Sequence, residues 1–360
     1  MLFWCSIGVT LTIIWIIKLL KIENFNKILI VLLFFLGFSG LDFIGVFLTG
    51  SVKSFESMHL EWWALFFQYS SMITQLFWVF NQCIIPWIIT LMFLNEKSVN
   101  NYALLILICF SYGPLPSLGL IPLMVIKAIY LFIKALKDKK VNYFLKDIFS
   151  IENIFSIFAI FPIYALYYFN NSAVSNGGDG DGGIRLVKEI FHKKGIIALI
   201  EFYILEFGIY GLILFKENKK NIIFLTSFIS LFFIPLISIG FGYDFSMRVS
   251  IPALVIINFC FLKFILEKLN KYNIKSLIEL FRNRKIDLKL GLVIFIFSIG
   301  LITPIVELQR GLFNVIENKK LALIADDIIT FSNDEEGEYL NFLCNNPKEN
   351  SIFFKYIARK

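Results

Sequence analysis

Long apolar runs separated by short charged connectors are the feature of this 360-residue chain that most limits how it can fold. The run from residue 26 to 50, for example, carries only Lys27 and Asp42 as charged side chains. At about 1.5 Å per residue, such a run crosses the roughly 30 Å hydrocarbon core of a bilayer as a helix. Because backbone polar groups in lipid must be paired within the segment, the pattern predicts an integral membrane protein made of helices.

About ten such runs follow one another, so the predicted fold class is all-α, a polytopic helical bundle with about ten transmembrane helices. The run 101–136 is counted as two spans, because Gly113, Pro114 and Pro116 interrupt it and one helix of that length is too long for a single crossing. The predicted spans are residues 3–20, 27–49, 73–94, 101–114, 116–136, 152–170, 195–215, 221–241, 249–267 and 289–306.

Lys and Arg divide unequally between the two ends of these spans. Connectors after the first, third, fifth, seventh and ninth spans hold most of them, which by the positive-inside rule makes that side cytoplasmic. The prediction is a multi-pass protein of the bacterial plasma (inner) membrane with both termini extracytoplasmic. Since no base precedes the first span, we expect either a translocated N-terminus or a chain that begins inside a longer protein.

The predicted domain division follows from these spans. Residues 1–306 form a transmembrane domain, in which 268–288 is a basic, amphipathic cytoplasmic connector expected to lie on the inner leaflet. Residues 307–360 form an extracytoplasmic C-terminal tail. The net charge of +7 arises from bases beside apolar runs, which indicates contact with anionic membrane lipids and not with nucleic acid.

Metal-binding patterns are weak in this sequence. The five cysteines form no CxxC pair and predict neither a zinc site nor a disulfide framework. The segment Gly177–Gly183 contains Asp179 and Asp181 but lacks the spacing of a calcium-binding loop. We therefore predict no metal ligands and interpret this segment as an outer linker, with a divalent cation as the alternative.

Polar and ionisable side chains inside apolar runs are costly in lipid and therefore mark candidate sites. Most of them fall at the predicted outer ends of spans. Asp42 and Glu61 are the candidate catalytic residues, as general bases for an acceptor hydroxyl. Arg248, four residues after Asp244, is a candidate phosphate ligand, with a helix-capping ion pair as the alternative. The candidate substrate-binding residues are His59, Trp62, Trp63, Gln68, Tyr69, Gln75, Trp78, Gln82, Glu201, Asp244 and Arg248.

The residue types in this set suit a sugar, which has an apolar ring face and a rim of hydroxyl groups. An aromatic belt at the outer interface is the alternative for the tryptophans. The spacing of Gln75, Trp78 and Gln82 predicts that they share one helix face. Glu201 and Glu206 are five residues apart in one span, so at most one of them is expected to face a common site.

The segment from His59 to Trp87, with its runs HLEWW, QYSS, LFWV, NQ and PW, resembles a segment of uncharacterised bacterial multi-pass proteins. Those proteins resemble GT-C type glycosyltransferases, which use polyprenyl-phosphate-linked sugars. Residues 112–122 and 244–252 are similar to later parts of the same group. The resemblance implies transfer of a sugar from a lipid-phosphate donor to a cell-envelope acceptor. GT-C enzymes usually carry a catalytic carboxylate in a large first outer loop, and no such loop precedes the first predicted span.

Two other functions remain open, so enzymatic activity itself is an uncertain expectation. A transporter or flippase of a lipid-linked or small polar substrate would place Asp42, Glu201 and Glu206 along a pathway through the membrane. An envelope-polysaccharide polymerase would join two lipid-linked oligosaccharides with the help of outer loops and arginine.

Overall fold

The computed structural model describes residues 2–50, 59–64, 66–168, 184–239, 244–272, 279, 288–318 and 356–357, which are mostly helical. The first half contains α1 (Leu2–Leu20), α2 (Phe25–Leu36), α3 (Asp42–Thr49), α4 (Met72–Trp78), α5 (Phe80–Asn95), α6 (Tyr102–Tyr112), α7 (Pro114–Lys137), α8 (Val141–Ile148), α9 (Ile151–Phe155) and α10 (Phe161–Tyr168). The second half contains α11 (Lys193–Tyr203), α12 (Ile209–Asn218), α13 (Ile222–Phe233), α14 (Asp244–Val249), α15 (Ile251–Lys271), α16 (Leu288–Gly300) and α17 (Ile302–Asn318).

Shorter elements join some of these helices. Single π-helical turns connect α9 to α10 and α11 to α12, so that each pair forms one longer helix. These turns are Ser156–Ile160 and Ile204–Gly208. Short 3₁₀ turns cover Leu60–Ala64, Lys188–Phe191 and Ile234–Leu236.

Five helices in the described part of the chain are long and apolar enough to cross a membrane. They are Phe3–Leu20, Pro114–Lys137, Val141–Tyr167, Lys193–Asn218 and Leu288–Phe313. Large apolar side chains also cover the outer surface; Phe47 is 82% exposed and Phe158 is 76% exposed. Such an extensive apolar surface is typical of a protein that lies in lipid. The structure therefore has the helices and the surface of a multi-pass membrane protein.

Helix α15 forms the centre of the structure. Most of its 21 residues are buried, because α2, α5, α7, α12 and α13 pack around it. A helix that is apolar on all sides is expected in such a position. The Phe261 ring of α15 contacts the rings of Phe34 and Phe297.

The predicted span 27–49 consists of two helices in the structure. Helix α2 ends at Leu36 and α3 begins at Asp42, and the residues between them are not helical. Gly37 and Gly40 lie in this break, and the low helix propensity of glycine favours an interruption there. The sequence interpretation treated the run as one helix because its apolar character continues through the break.

Neighbouring segments provide hydrogen bonds to the backbone groups that this break frees. Leu41 N–H donates to Leu205 O at 3.0 Å, and Met72 N–H donates to Phe38 O at 3.3 Å. Leu205 lies in the π turn between α11 and α12, where helical hydrogen bonding is locally altered. Non-helical backbone at membrane depth is tolerated where protein surrounds and pairs it in this way.

Two other predicted spans can be compared directly with the helices. The run 101–136 forms two helices separated at Gly113, as the sequence indicated. The run 73–94 is interrupted at Val79, between α4 and α5, which the sequence interpretation did not include. Hydropathy defines where an apolar run lies, but it does not register a one-residue change of helix direction.

Connectors that were predicted to be cytoplasmic contact one another in pairs. Lys27 Nζ, at the start of α2, donates to Asn270 Oδ1, at the end of α15, at 2.6 Å. Lys289 Nζ, at the start of α16, lies 2.8 Å from Glu217 Oε1, at the end of α12. Each pair therefore lies at one end of the bundle.

Segments predicted to be extracytoplasmic also contact one another. The Trp4 ring near the start of α1 stacks on the Tyr112 ring at the end of α6, with ring centroids 6.2 Å apart. His59, which directly precedes the 3₁₀ turn Leu60–Ala64, contacts Glu307 in α17. These contacts join segments that lie far apart in the sequence.

One short antiparallel strand pair departs from the all-α prediction. It joins β1 (Ile184–Leu186) to β2 (Ile237–Ile239), with Ile184 opposite Ile239. The residues of both strands are not helical, so their backbone N–H and C=O groups pair with each other across the two strands.

The predicted boundary between residues 306 and 307 falls inside a helix, since α17 continues to Asn318. The rest of the predicted tail lies outside the described residues, apart from 356–357. Gly177–Gly183 also lies outside them. Of the predicted connector 268–288, only residues 268–272, Glu279 and Leu288 are described.

Candidate functional site

Asp42 begins α3 directly after the helix break and is fully buried. Its carboxylate accepts hydrogen bonds from Ser39 Oγ at 3.0 Å, Thr303 Oγ1 at 3.0 Å and Trp63 Nε1 at 3.2 Å. The N-terminal end of a helix also favours a negative charge. Asp42 therefore holds together the break, the 3₁₀ turn that carries Trp63, and α17.

Glu206 reaches the same point from the π turn. It is 3% exposed, and its Oε1 accepts a hydrogen bond from Trp63 Nε1 at 3.2 Å. A single indole N–H is thus shared between Asp42 and Glu206, which makes the two carboxyl groups neighbours. Glu201, which the sequence analysis placed in the site, is half-buried on a different side of the helix. The carboxyl group of this helix that reaches Asp42 is therefore Glu206.

Two glycines allow this close approach. A Cβ atom on Gly40 would lie 2.1 Å from Glu206 Oε2, and a Cβ atom on Gly45 would lie 2.2 Å from the Trp63 ring. Neither distance is compatible with van der Waals contact. Glycine at both positions is a steric requirement of the carboxylate cluster.

Glu61 is a third buried carboxylate, in the 3₁₀ turn before Trp63. It accepts hydrogen bonds from Ser70 Oγ at 2.7 Å, Ser71 N–H at 2.8 Å and Gln68 Nε2 at 3.1 Å. Burial, and secondarily the negative charge of Asp42, raise the pKa of Glu61 to about 8, although the hydrogen bonds oppose this change. Asp42, Glu61 and Glu206 form what we call the carboxylate cluster.

The segment after Glu61 is held by polar side chains that bond to protein groups. Gln75 Nε2 donates to Ser70 O at 2.8 Å, and Gln75 Oε1 accepts from Trp87 Nε1 at 2.8 Å. Tyr69 Oη donates to Leu231 O at 2.7 Å. Gln75 and Tyr69 therefore position the segment, whereas the sequence analysis had assigned both to substrate binding.

A second group lies around His59. Its Nδ1 lies 2.8 Å from Glu307 Oε1, and Arg310 Nη1 donates to the same oxygen at 2.6 Å. The His59 ring also packs between two indoles, with centroid distances of 5.0 Å to Trp62 and 4.8 Å to Trp78. Both indoles are more than half exposed. We call these five residues the histidine group.

Helix α17 connects the histidine group to the carboxylate cluster. Thr303 contacts Asp42, and Glu307, four residues later and therefore on the same helix face, contacts His59. Arg310 follows three residues after Glu307. The two groups thus form one polar row that begins at the buried carboxylates and ends at the exposed indoles.

Two placements differ from the sequence interpretation. Trp63 is buried and bonded to carboxylates, so it presents no open face to a sugar, unlike Trp62 and Trp78. Gln75, Trp78 and Gln82 do not share a face: Gln75 is fully buried, Trp78 is 57% exposed and Gln82 is half-buried. The break at Val79 places Gln82 in a different helix from Gln75 and Trp78, so the helical spacing does not extend to Gln82.

Arg248, the phosphate ligand suggested by the sequence, lies in a helix that contacts Gln68 in the segment after Glu61. Arg248 is half-buried in α14, and Ser246 of the same helix donates to Gln68 O at 3.3 Å. The side chain of Asp244 lies outside the described part of the structure, so the predicted pair with Arg248 is not tested.

Sequence reasoning missed residues that the fold brings from distant parts of the chain. Thr303, Glu307 and Arg310 were assigned to the end of the last span or to the tail. Only their helical spacing, three and four residues apart among apolar side chains, could have indicated a common face.

The space within the carboxylate cluster is small. A cavity of about 10 Å³, lined among others by Gly40, Ser70 and Glu206, is close to the size of one water molecule. Among the described residues, no three His, Cys, Asp or Glu side chains are arranged to hold a metal ion. The cluster can hold protons, and the histidine group combines an imidazole, a carboxylate and a guanidinium near exposed aromatic rings.

No protein-family model, curated protein or solved structure matches this chain.

Proposed function

We propose that this protein transfers a sugar from a lipid-phosphate donor to a cell-envelope acceptor. The supporting observation is the histidine group, in which His59 lies between two exposed indoles and beside Glu307 and Arg310. This arrangement offers separate partners for a sugar ring, a hydroxyl proton and a phosphate.

Each member of the group has a distinct role in this proposal. Trp62 and Trp78 stack on the apolar face of a sugar. With Nδ1 directed at Glu307, His59 has Nε2 as its second nitrogen, and this atom accepts the proton of the acceptor hydroxyl. Arg310 holds the donor phosphate through its planar guanidinium. Glu307 orients both the imidazole and the guanidinium.

The roles of Asp42 and Glu61 change with this geometry. The sequence suggested them as general bases, but each already accepts three hydrogen bonds from protein donors. We assign them to positioning: Glu61 holds the chain from Gln68 to Ser71, and Asp42 holds Trp63 and α17. The general base in the proposal is His59.

The proposal includes a membrane topology. About ten spans, termini outside the bacterial plasma membrane and a site at the outer face account for the paired connectors described above. A cysteine introduced at Trp62, which is 58% exposed, is expected to react with an impermeant maleimide added outside intact cells. Reaction only after the cells are opened would reverse the proposed topology.

The activity is tested with protein in nanodiscs and a panel of polyprenyl-phosphate-linked sugars, with release of polyprenyl phosphate as the readout. His59→Ala and Arg310→Ala are expected to abolish or greatly reduce release. The matched control is Glu267→Gln, which removes an exposed carboxylate paired only loosely with Lys263. Unchanged release in His59→Ala would exclude the proposed role of the histidine group.

A proton-coupled transporter or flippase is the second candidate, and the helix break at Asp42 favours it. Transporter sites are often built at broken helices near the membrane midplane, with carboxylates that bind the coupling ion. In proteoliposomes, this function predicts that a labelled lipid-linked sugar crosses the bilayer without being consumed. A polymerase would instead lengthen the oligosaccharide on its lipid.

A further inference from the structure

The pair Asp42 and Glu206 lies in a buried environment of like charge. Both carboxyl groups accept the same Trp63 N–H at 3.2 Å. The charged groups that act on Glu206 are Asp42 and Glu61, which are both acidic. Two neighbouring carboxylates in an apolar interior do not both remain ionised, so the pair must hold a proton.

The hydrogen bonds favour one member of the pair as the group that holds this proton. Asp42 accepts from Ser39 and Thr303 through Oδ2 and from Trp63 through Oδ1, so both of its oxygens act as acceptors. Hydrogen bonds donated to a carboxylate favour its ionised form. Glu206 accepts only the shared Trp63 bond among the described contacts. The proton therefore belongs on Glu206, directed toward Asp42.

A buried hydroxyl group provides a second, independent indication of a ligand at this place. Tyr210 is fully buried, and its Oη has no hydrogen-bond partner among the described residues. A Cβ atom on Gly300 would lie 2.9 Å from Tyr210 Oη and 3.0 Å from Ser39 O, so the hydroxyl lies beside the helix break. Asp42 and Glu206 are both close enough to act on it electrostatically.

A route for a proton leads from Glu206 toward Glu61, which lies two residues from His59. The cavity of about 10 Å³ is lined by Glu206 and Ser70, and it can admit one water molecule. Ser70 Oγ donates to Glu61 Oε2 at 2.7 Å, and half-buried Gln68 contacts both of these residues. The route therefore connects a deep carboxyl group with Glu61, which lies outside the predicted spans.

We propose that Asp42 and Glu206 form a proton-binding site, connected to Glu61 through one water molecule and Ser70. In proton uptake, protonated Glu61 gives its proton to Ser70 Oγ, Ser70 gives its own proton to the water, and the water gives a proton to the carboxylate pair. The net change is ionised Glu61 and one proton held by Asp42 and Glu206, with charge conserved. The titratable groups that face Glu206 are Asp42, Glu61, Tyr69 and Tyr210.

The test is labelling with dicyclohexylcarbodiimide, an apolar reagent that reacts with protonated carboxyl groups, on the full-length protein in detergent. Mass spectrometry of peptides is expected to find the adduct on Glu206 and not on Asp42. Labelling should decrease as the pH is raised and should be lost in Glu206→Gln. The matched control is Glu201→Gln, which removes a carboxyl group of the same helix outside the cluster and should leave the Glu206 adduct unchanged.

A second variant tests the pairing itself. Asp42→Asn removes the neighbouring negative charge and is expected to move the labelling midpoint of Glu206 to lower pH. A midpoint unchanged in Asp42→Asn, or an adduct on Asp42 in place of Glu206, would overturn the proposal. Protection by sodium ions at constant pH would also overturn it, because the ligand would then be a metal ion. Each of these results is independent of sugar transfer, so the proposed function can fail while this inference stands.

Discussion

The backbone N–H of Leu41 donates a 3.0 Å hydrogen bond to the carbonyl oxygen of Leu205. This bond joins the break before α3 to the π turn between α11 and α12. Two local departures from α-helical geometry thus pair with each other, and the residues that follow them, Asp42 and Glu206, become neighbours. Irregular backbone of this kind is common at functional sites in helical proteins.

The close approach of Gly40 to Glu206 can be tested by Gly40→Ala. The added Cβ would overlap Glu206 Oε2, so we expect the free energy of unfolding to fall by about 1–3 kcal/mol. The matched control is Gly291→Ala in α16, where no atom lies within 4 Å of the added Cβ. There, the higher helix propensity of alanine should leave stability equal or increased by up to about 1 kcal/mol. Denaturant unfolding in detergent measures the stability of both variants. Equal changes in the two variants would exclude the close contact between Gly40 and Glu206.

Trp63→Phe tests the shared hydrogen bond. The change removes the donor that Asp42 and Glu206 share among the described residues, while most of the buried ring volume remains. We expect a loss of stability of about 1–3 kcal/mol, because two buried acceptors lose their partner. Trp62→Phe, at the exposed neighbouring position, should change stability by no more than about 0.5 kcal/mol. If Trp63→Phe lowers stability no more than Trp62→Phe does, the shared hydrogen bond contributes nothing to stability.

Glu61 predicts a pH dependence of stability. Its pKa is raised from 4.5 to about 8, so between these values the folded protein retains a proton that the unfolded chain has lost. Stability therefore falls as the pH rises through this window and stops falling above about 8. In Glu61→Gln, the melting temperature measured from pH 5 to 9 should fall less steeply than in the wild type. The control Glu267→Gln should keep the wild-type slope, and a slope unaffected by Glu61→Gln would contradict the raised pKa.

Arg310→Lys tests whether the guanidinium recognises a phosphate. Lysine keeps the charge but lacks the planar pair of donors, so we expect weaker donor binding, by about 10- to 100-fold in KM, with a smaller change in kcat. Initial rates at varied donor concentration measure this. A fall in kcat alone would show that Arg310 acts through Glu307 and not on the donor.

The sequence predicted the helical, membrane-spanning character and a polar site that includes Asp42 and Glu61, because charged groups in apolar runs are conspicuous. It placed Glu201 and not Glu206 in the candidate site, since helical spacing says that the two diverge but not which one faces the bundle. The site's partners on α17 were also missed. Their contacts with His59 and Asp42 depend on tertiary packing between residues about 250 positions apart, which no local pattern encodes.

The breaks at residues 37–41 and at Val79 explain the remaining differences. Hydropathy is nearly constant across both, so each run appeared to be one helix. A break changes the direction of every later side chain, and the one at Val79 separated Gln82 from Gln75 and Trp78. The sequence located the apolar helices, but not the breaks within two of the runs.

The most direct test of sugar transfer follows one labelled polyprenyl-phosphate-linked sugar in proteoliposomes, recording its consumption and its movement across the bilayer in the same sample. We predict consumption with release of polyprenyl phosphate, reduced about 10²- to 10⁴-fold in His59→Ala and retained in Trp4→Ala, which alters an exposed indole elsewhere. Movement of the intact donor without release, or full release by His59→Ala, would contradict the account.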